Sequence, residues 1–334
     1  MDRYRLSEPG DRSPQGSSIM VDFDYLAKGL CAMARAHRVN LMAGHLGAAV
    51  VAGYFISEQH PDLDERVFKG IEGELDRIIR GESVFSPKPK AGITATEMFA
   101  PFAKERPNSD PIGGIADALA GNIDQTHESG HNVIFSAIAI RALKDHPALA
   151  TPSVVDGIRK LIAGFNGTSP GSGYYGKEKG RINGRKVPLP KDDDFPPYAD
   201  LPAMANAVFA ALIAHASEQR VGFGGLWHLN NHAGALAELA QYGYRELAVR
   251  GLAAHRQHMR LWRTLPDVTE EEGARTPSKY DPRTPEYWQS GHIRRDHALL
   301  THRIKTLYGF DVLIELIDDK AKRRQGNEKL RYLM

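Results

Sequence analysis

The chain has 334 residues, with 43 Lys and Arg against 41 Asp and Glu and 42% hydrophobic content, which gives it material for a sizeable core and no basic face of the kind a nucleic-acid binder carries. Fourteen histidines stand beside a single cysteine, Cys31. One thiol excludes an internal disulfide, a thiolate zinc site and a cysteine-held iron–sulfur cluster, so any resident metal must rest on imidazole and carboxylate.

Residues 1–20 are polar and rich in Ser, Pro, Gly and Arg; without an apolar run behind their charges they read as a flexible leader rather than a secretory signal. From Val21 onward apolar positions recur at three and four. That spacing predicts helices over 22–38, 43–58, 62–80, 112–126, 131–145, 152–165, 201–217, 228–241, 244–262, 290–308 and 311–324. No run alternates β-branched and aromatic residues between turn signals, so no sheet is expected and residues 21–325 form one all-α domain. No stretch reads as the roughly 18 apolar residues needed to span a bilayer, which predicts a cytoplasmic protein with no membrane partner. The closing segment, 326–334, ends a basic stretch that includes Lys320, Arg323, Lys329 and Arg331 and reads as a solvated tail.

Comparing the helices with one another exposes an internal repeat, in which a small or polar pair precedes a histidine that opens an Ala-rich helix. The four copies are Ala43-Gly44-His45, Ser129-Gly130-His131, Asn230-Asn231-His232 and Ser290-Gly291-His292. Each helix then reaches a turn, at His60-Pro61, His146-Pro147, Tyr242-Gly243 or Tyr308-Gly309, and enters a second amphipathic helix. Hairpins of this kind bury their faces by stacking, and about a dozen helices suit a closed α/α toroid with the Ala- and Gly-rich helices innermost. The segments 166–197 and 265–285 break the repeat and are expected to flank or cover the mouth of a cavity as lids.

Several motifs carry rival readings. Gly171-Ser172-Gly173-Tyr174-Tyr175-Gly176 spells GxGxxG but follows a helix and precedes more loop, which is the wrong context for a dinucleotide fingerprint. His127-Glu128-Ser129-Gly130-His131 spells HExxH, a zinc signature on a continuous helix, although glycine inside it costs about 1 kcal/mol and a new helix is expected close to His131. Glu128 then serves as an outer partner of a histidine ligand. His228 and His232, four residues apart, project from one helix face. With the repeats superimposed, His45, His131 and His232 approach a common axis and His228 adds a fourth imidazole. In the last repeat, matching the helix ends brings His297 to their level, whereas matching the starts selects His292; His302 lies on the same expected helix. The metal set is thus His45, His131, His228, His232 and His297, with His127 and His292 as acid–base groups and Trp227 and Asn231 in the substrate pocket. His37, His60, His146, His215, His255 and His258 read as structural.

Asn230-Asn231-His232, followed by an Ala/Leu-rich helix and Tyr242-Gly243, resembles the asparagine-asparagine-histidine segment of the questin oxidase-like family. Members act on aromatic polyketides such as anthraquinones, and one branch holds non-haem iron on four histidines and a carboxylated lysine. The resemblance implies iron on His45, His131, His228 and His232, with Lys305 as the lysine unless His297 or His292 replaces it. The expected function is an iron oxygenase that uses O₂ on an aromatic small molecule, cleaving a C–C bond. The alternatives are a zinc-dependent hydrolase or lyase on the same scaffold and a non-catalytic helical-repeat binding protein. Composition sets no oligomeric state.

Overall fold

The structure is a computed structural model that describes residues 20–190 and 194–334; the expected leader lies almost wholly outside the described residues, as do the side chains of His292 and Arg294. The helices are α1 (Phe23–Ala36), α2 (Gly44–Gln59), α3 (Glu65–Ile79), α4 (Ala95–Phe99), α5 (Gly113–Ala120), α6 (His131–Asp145), α7 (Pro152–Ala163), α8 (Leu201–His215), α9 (Gly225–Gln241), α10 (Arg245–Arg263), α11 (Thr269–Glu272), α12 (Pro285–Gln289), α13 (Gly291–Arg295), α14 (Leu300–Ile314) and α15 (Lys320–Leu330). The all-α class is therefore correct. Among the described residues the one sheet is a hairpin, in which β1 (Ser172–Tyr174) pairs antiparallel with β2 (Arg181–Asn183). Strands of three residues are too short to display an alternating pattern, and the GxGxxG segment supplies β1 and the turn after it instead of a phosphate loop.

Local chemistry sets the helix boundaries. Asp22, Asp64, Asp200 and Asp319 each accept a backbone N–H in the first turn of α1, α3, α8 and α15. Proline opens α7 and α12, where its missing N–H costs nothing. On α3, Val67, Phe68, Ile71, Leu75 and Ile78 form one buried stripe, with Arg66 and Lys69 outside it. By contrast α2 buries residues from Gly44 through Ser57 without a break, and α6, α9 and α14 are nearly as enclosed. These four are neighbours of one another, since α2 packs on α6 and α14 while α9 packs on the same two. Around them lie α1 and α3 against α2, α5 and α7 against α6, and α8 and α10 against α9. Where α9 crosses α14 the backbones nearly touch: a Cβ on Gly234 would stand 2.6 Å from the Gly309 carbonyl oxygen.

Three expectations need correction. The helix expected over 290–308 is broken, because the Asp296 carboxylate accepts the N–H groups of Ala298 and Leu299 at 2.9 and 3.1 Å, and α14 starts only at Leu300. Tyr308-Gly309 is accordingly inside α14 and not a turn; the glycine is there because Asn231 of α9 leaves no room for a side chain. Second, Leu41–Gln59 is long and apolar enough to cross a membrane, contrary to the sequence reading, and 83% of its apolar window is buried inside the protein. Third, the segment 326–334 is packed rather than solvated, with Leu330 and Leu333 both buried.

Candidate metal centre

The four central helices each bring one histidine to the same end. His45 is in the first turn of α2, His131 opens α6, His228 is in the first turn of α9 and His302 in that of α14. Ring centroids lie 4.4 Å apart for His45 and His131, 4.6 Å for His131 and His228, 5.0 Å for His228 and His302, and 4.8 Å for His302 and His45. One nitrogen each from His45, His131 and His228 fits within a 4.8 Å span. Lys305, one turn beyond His302, points its Nζ at the Nδ1 of His45.

Special backbone places these rings. Ahead of α6, Glu128, Ser129 and Gly130 take φ of 41°, 61° and 85°, so the chain turns sharply and the helix begins at His131. HExxH is thus not on a continuous helix and the zincin reading fails. Ahead of α9, Gly224 has φ of 69°, and a Cβ there would lie 2.2 Å from the His228 ring. Both turns aim a carbonyl at the following imidazole. His131 Nδ1–H donates to the Glu128 carbonyl oxygen and His228 Nδ1–H to the Gly224 carbonyl oxygen, the latter at 2.8 Å. The backbone of Glu128, and not its carboxylate, is therefore what orients His131.

With both Nδ1 atoms protonated, the two Nε2 lone pairs face each other at 3.0 Å. Two bare acceptors at that distance repel, and a cation bound by both removes the repulsion. The spacing suits cis ligands, since bonds of about 2.1 Å at about 90° place two nitrogens about 3.0 Å apart. Burial favours the neutral form of these imidazoles. It is the largest cause for all four rings, pulling His228 down to about 3 and holding His45, His131 and His302 well below 6.5. Lys305 is 3% exposed and burial alone pushes its ammonium well below the usual lysine range. The donor set, imidazole nitrogens and an amine with no thiolate, fits a first-row transition metal and is a poor cage for calcium or magnesium.

The cluster floors a cavity of about 770 Å³. Its apolar wall includes Met42, Phe85, Phe223, Trp227 and Leu299, and Phe85 stacks on the His45 ring at 3.9 Å. Gly171, Ser172 and Arg181 enter from the 166–197 segment and Arg275 from the 265–285 segment, so both expected lids border the cavity.

Of the sequence candidates, His45, His131, His228 and Trp227 gather here. His232 does not: it faces His258, with the Nδ1 atoms 3.3 Å apart, and its ring is 5.0 Å from that of His255. One turn along α9 from His228, it points to α10, with Gly130 at the start of α6 packed against its ring. His297 is exposed on the 296–299 loop with Nδ1 3.0 Å from the Glu82 carbonyl, excluded from the cluster because α14 starts after it. His127 turns to Thr168, whose carbonyl oxygen lies 3.1 Å from its Nδ1, and does not line the cavity. Asn231 instead borders a small void of about 20 Å³ shared with Lys305, Glu238 and Tyr308. His292 lies on α13. The sequence reading passed over His302, although its spacing of three from Lys305 on one helix was the available signal, and it missed Phe85 and Arg275 altogether. Comparison with protein-family models, with curated proteins and with solved structures finds no match to this chain.

Proposed function

We propose that the chain is a metal-dependent oxygenase that holds iron on His45, His131, His228 and His302, with Lys305 beside it, and acts on a flat aromatic small molecule. The observation that carries this reading is the pair of Nε2 atoms of His131 and His228, 3.0 Å apart with both Nδ1 protons committed to carbonyls, at the floor of a large cavity. Four histidines and one lysine are also the donor set that the resemblance to the questin oxidase-like family implies, with His302 standing where His232 was expected. The mutual packing of α2, α6, α9 and α14 inside a layer of outer helices supports an α/α toroid, with the cluster at one end of its axis.

Iron bound there supplies the one-electron chemistry that lets O₂ react with a closed-shell organic substrate. The chain's own residues do the rest. The apolar wall of Phe85, Phe223 and Trp227 receives aromatic rings and displaces water. The backbone carbonyls of Glu128 and Gly224 keep two imidazoles in the tautomer that presents Nε2. Lys305, buried next to His45, offers an amine that would bind the metal directly or, after reaction with CO₂ and loss of a proton, as a carbamate.

The test is metal analysis of untagged protein together with O₂ consumption. One transition-metal ion per chain, and O₂ uptake on an anthraquinone substrate restored to chelator-stripped protein by Fe(II) and not by Zn(II), is the expected result. Stoichiometric zinc with no O₂ uptake selects the hydrolase reading, and absence of any stoichiometric metal overturns the proposal.

A further inference from the structure

The cavity above the histidine cluster has an ionic feature that the metal reading leaves unused. Three arginines border it: Arg181, Arg220 and Arg275. Arg220 is matched, its Nε donating to the Glu218 carboxylate at 2.6 Å and its Nη1 to the carbonyl of Leu265 at 2.9 Å. Arg275 is different. Its guanidinium lies over the Trp227 ring, 4.2 Å from the centroid, and its Nε donates to the Gln219 side-chain oxygen at 3.0 Å. Among the described residues no carboxylate pairs with it, and burial pulls its pKa down to about 10. A partly buried cation without a counter-ion is unfavourable in the empty protein, and a bound anion relieves that. The platform is rigid as well, because Trp227 Nε1 donates to the Leu333 carbonyl oxygen at 2.7 Å. With only its Nε engaged, by Gln219, the guanidinium over the indole keeps its two terminal nitrogens, the N–H pair that matches a carboxylate fork.

We infer that the substrate is an aromatic carboxylate, whose rings occupy the apolar wall and whose carboxylate pairs with Arg275. The inference rests on the cavity being the substrate site of the metal centre and narrows its substrate class. Arg181, exposed at the rim on β2 and also without an acidic partner among the described residues, extends the positive lining toward the mouth.

Anthraquinone-2-carboxylate and the uncharged anthraquinone-2-carboxamide are the probes, titrated by calorimetry into the full chain with its metal and after stripping with chelator. A charge-assisted pair gives the carboxylate a preference of about 10- to 100-fold. Arg275→Gln should reduce the ratio to about one, chiefly by weakening the carboxylate, with saturable carboxamide binding reporting that the cavity is intact, and Arg275→Lys should restore part of it. The preference should survive stripping, because Arg275 and not the metal carries it. Equal affinities in the wild type, no saturable binding of either probe, a preference retained in Arg275→Gln, or one lost on stripping each overturns the inference. So does ionised 2-hydroxyanthraquinone binding as tightly as the carboxylate, since any oxyanion would then serve. Failure of the metal reading shows in metal content and leaves this ratio untouched, so the two failures are distinct.

Discussion

Replacing His255 with glutamine should make the protein less sensitive to acid, and the size of the effect follows from its surroundings. His255 is fully buried, its Nε2–H donating to the Leu229 carbonyl at 3.0 Å and its Nδ1 3.2 Å from the Tyr198 hydroxyl, and burial lowers its pKa from 6.5 to about 3. A folded-state pKa below that of the unfolded chain means that the unfolded state takes up the proton first. Stability is therefore complete above pH 6.5, falls as pH drops below it, and levels out near pH 3. Between pH 7 and 5 one such histidine costs about 2 kcal/mol, approaching about 1.4 kcal/mol per pH unit. His258, lowered by burial to about 4, adds a similar loss over the same window. Together they remove about 4 kcal/mol from a domain whose total stability is about 5–15 kcal/mol. His255→Gln forfeits a hydrogen bond, about 1 kcal/mol at pH 7, but removes one proton from the linkage. Urea unfolding of metal-free protein, followed by circular dichroism at pH 7, 6 and 5, should show the variant less stable at pH 7 and level with or above the wild type at pH 5. Parallel stability curves for the two proteins would refute the reasoning.

His302→Ala should lower metal affinity by at least about tenfold, whereas His232→Ala should leave the bound metal unchanged, because only the former ring joins His45 and His228; competition with a chromophoric chelator measures both. Gly234→Ala places a methyl 2.6 Å from the Gly309 carbonyl oxygen and should cost about 1–3 kcal/mol in urea unfolding, with a smaller cost marking a crossing that opens easily. Glu238→Gln removes the carboxylate that faces Arg141 at 3.3 Å, where both side chains are largely buried, and should cost about 1–3 kcal/mol in urea unfolding, the loss being limited because Asp145 at 3.6 Å and Glu58 at 3.9 Å still face the guanidinium.

Helix positions were largely legible because buried stripes recur at three and four, and His45, His131 and His228 were found because each opens or nearly opens a helix. The final histidine was misread for a local reason. A single carboxylate, Asp296, caps the 296–299 loop and delays the helix to Leu300, so histidines that looked continuous in sequence belong to different elements. Gly309 reinforced the error, since a glycine demanded by packing against Asn231 is indistinguishable in sequence from one that ends a helix. His232 reads as a ligand from its repeat position because helical spacing gives the face of a residue within its own helix but not which neighbour that face meets; α10 supplies His255 and His258 there. Arg275 sits in an irregular segment where no periodicity points anywhere, and only the fold brings it over Trp227.

X-ray anomalous scattering from crystals of untagged protein, recorded on both sides of the iron absorption edge, tests the metal centre most directly. The expected result is one strong peak per chain, present only above the edge and bounded by the imidazoles of His45, His131, His228 and His302. A map without a peak there, or with its peak among His232, His255 and His258, would contradict the account.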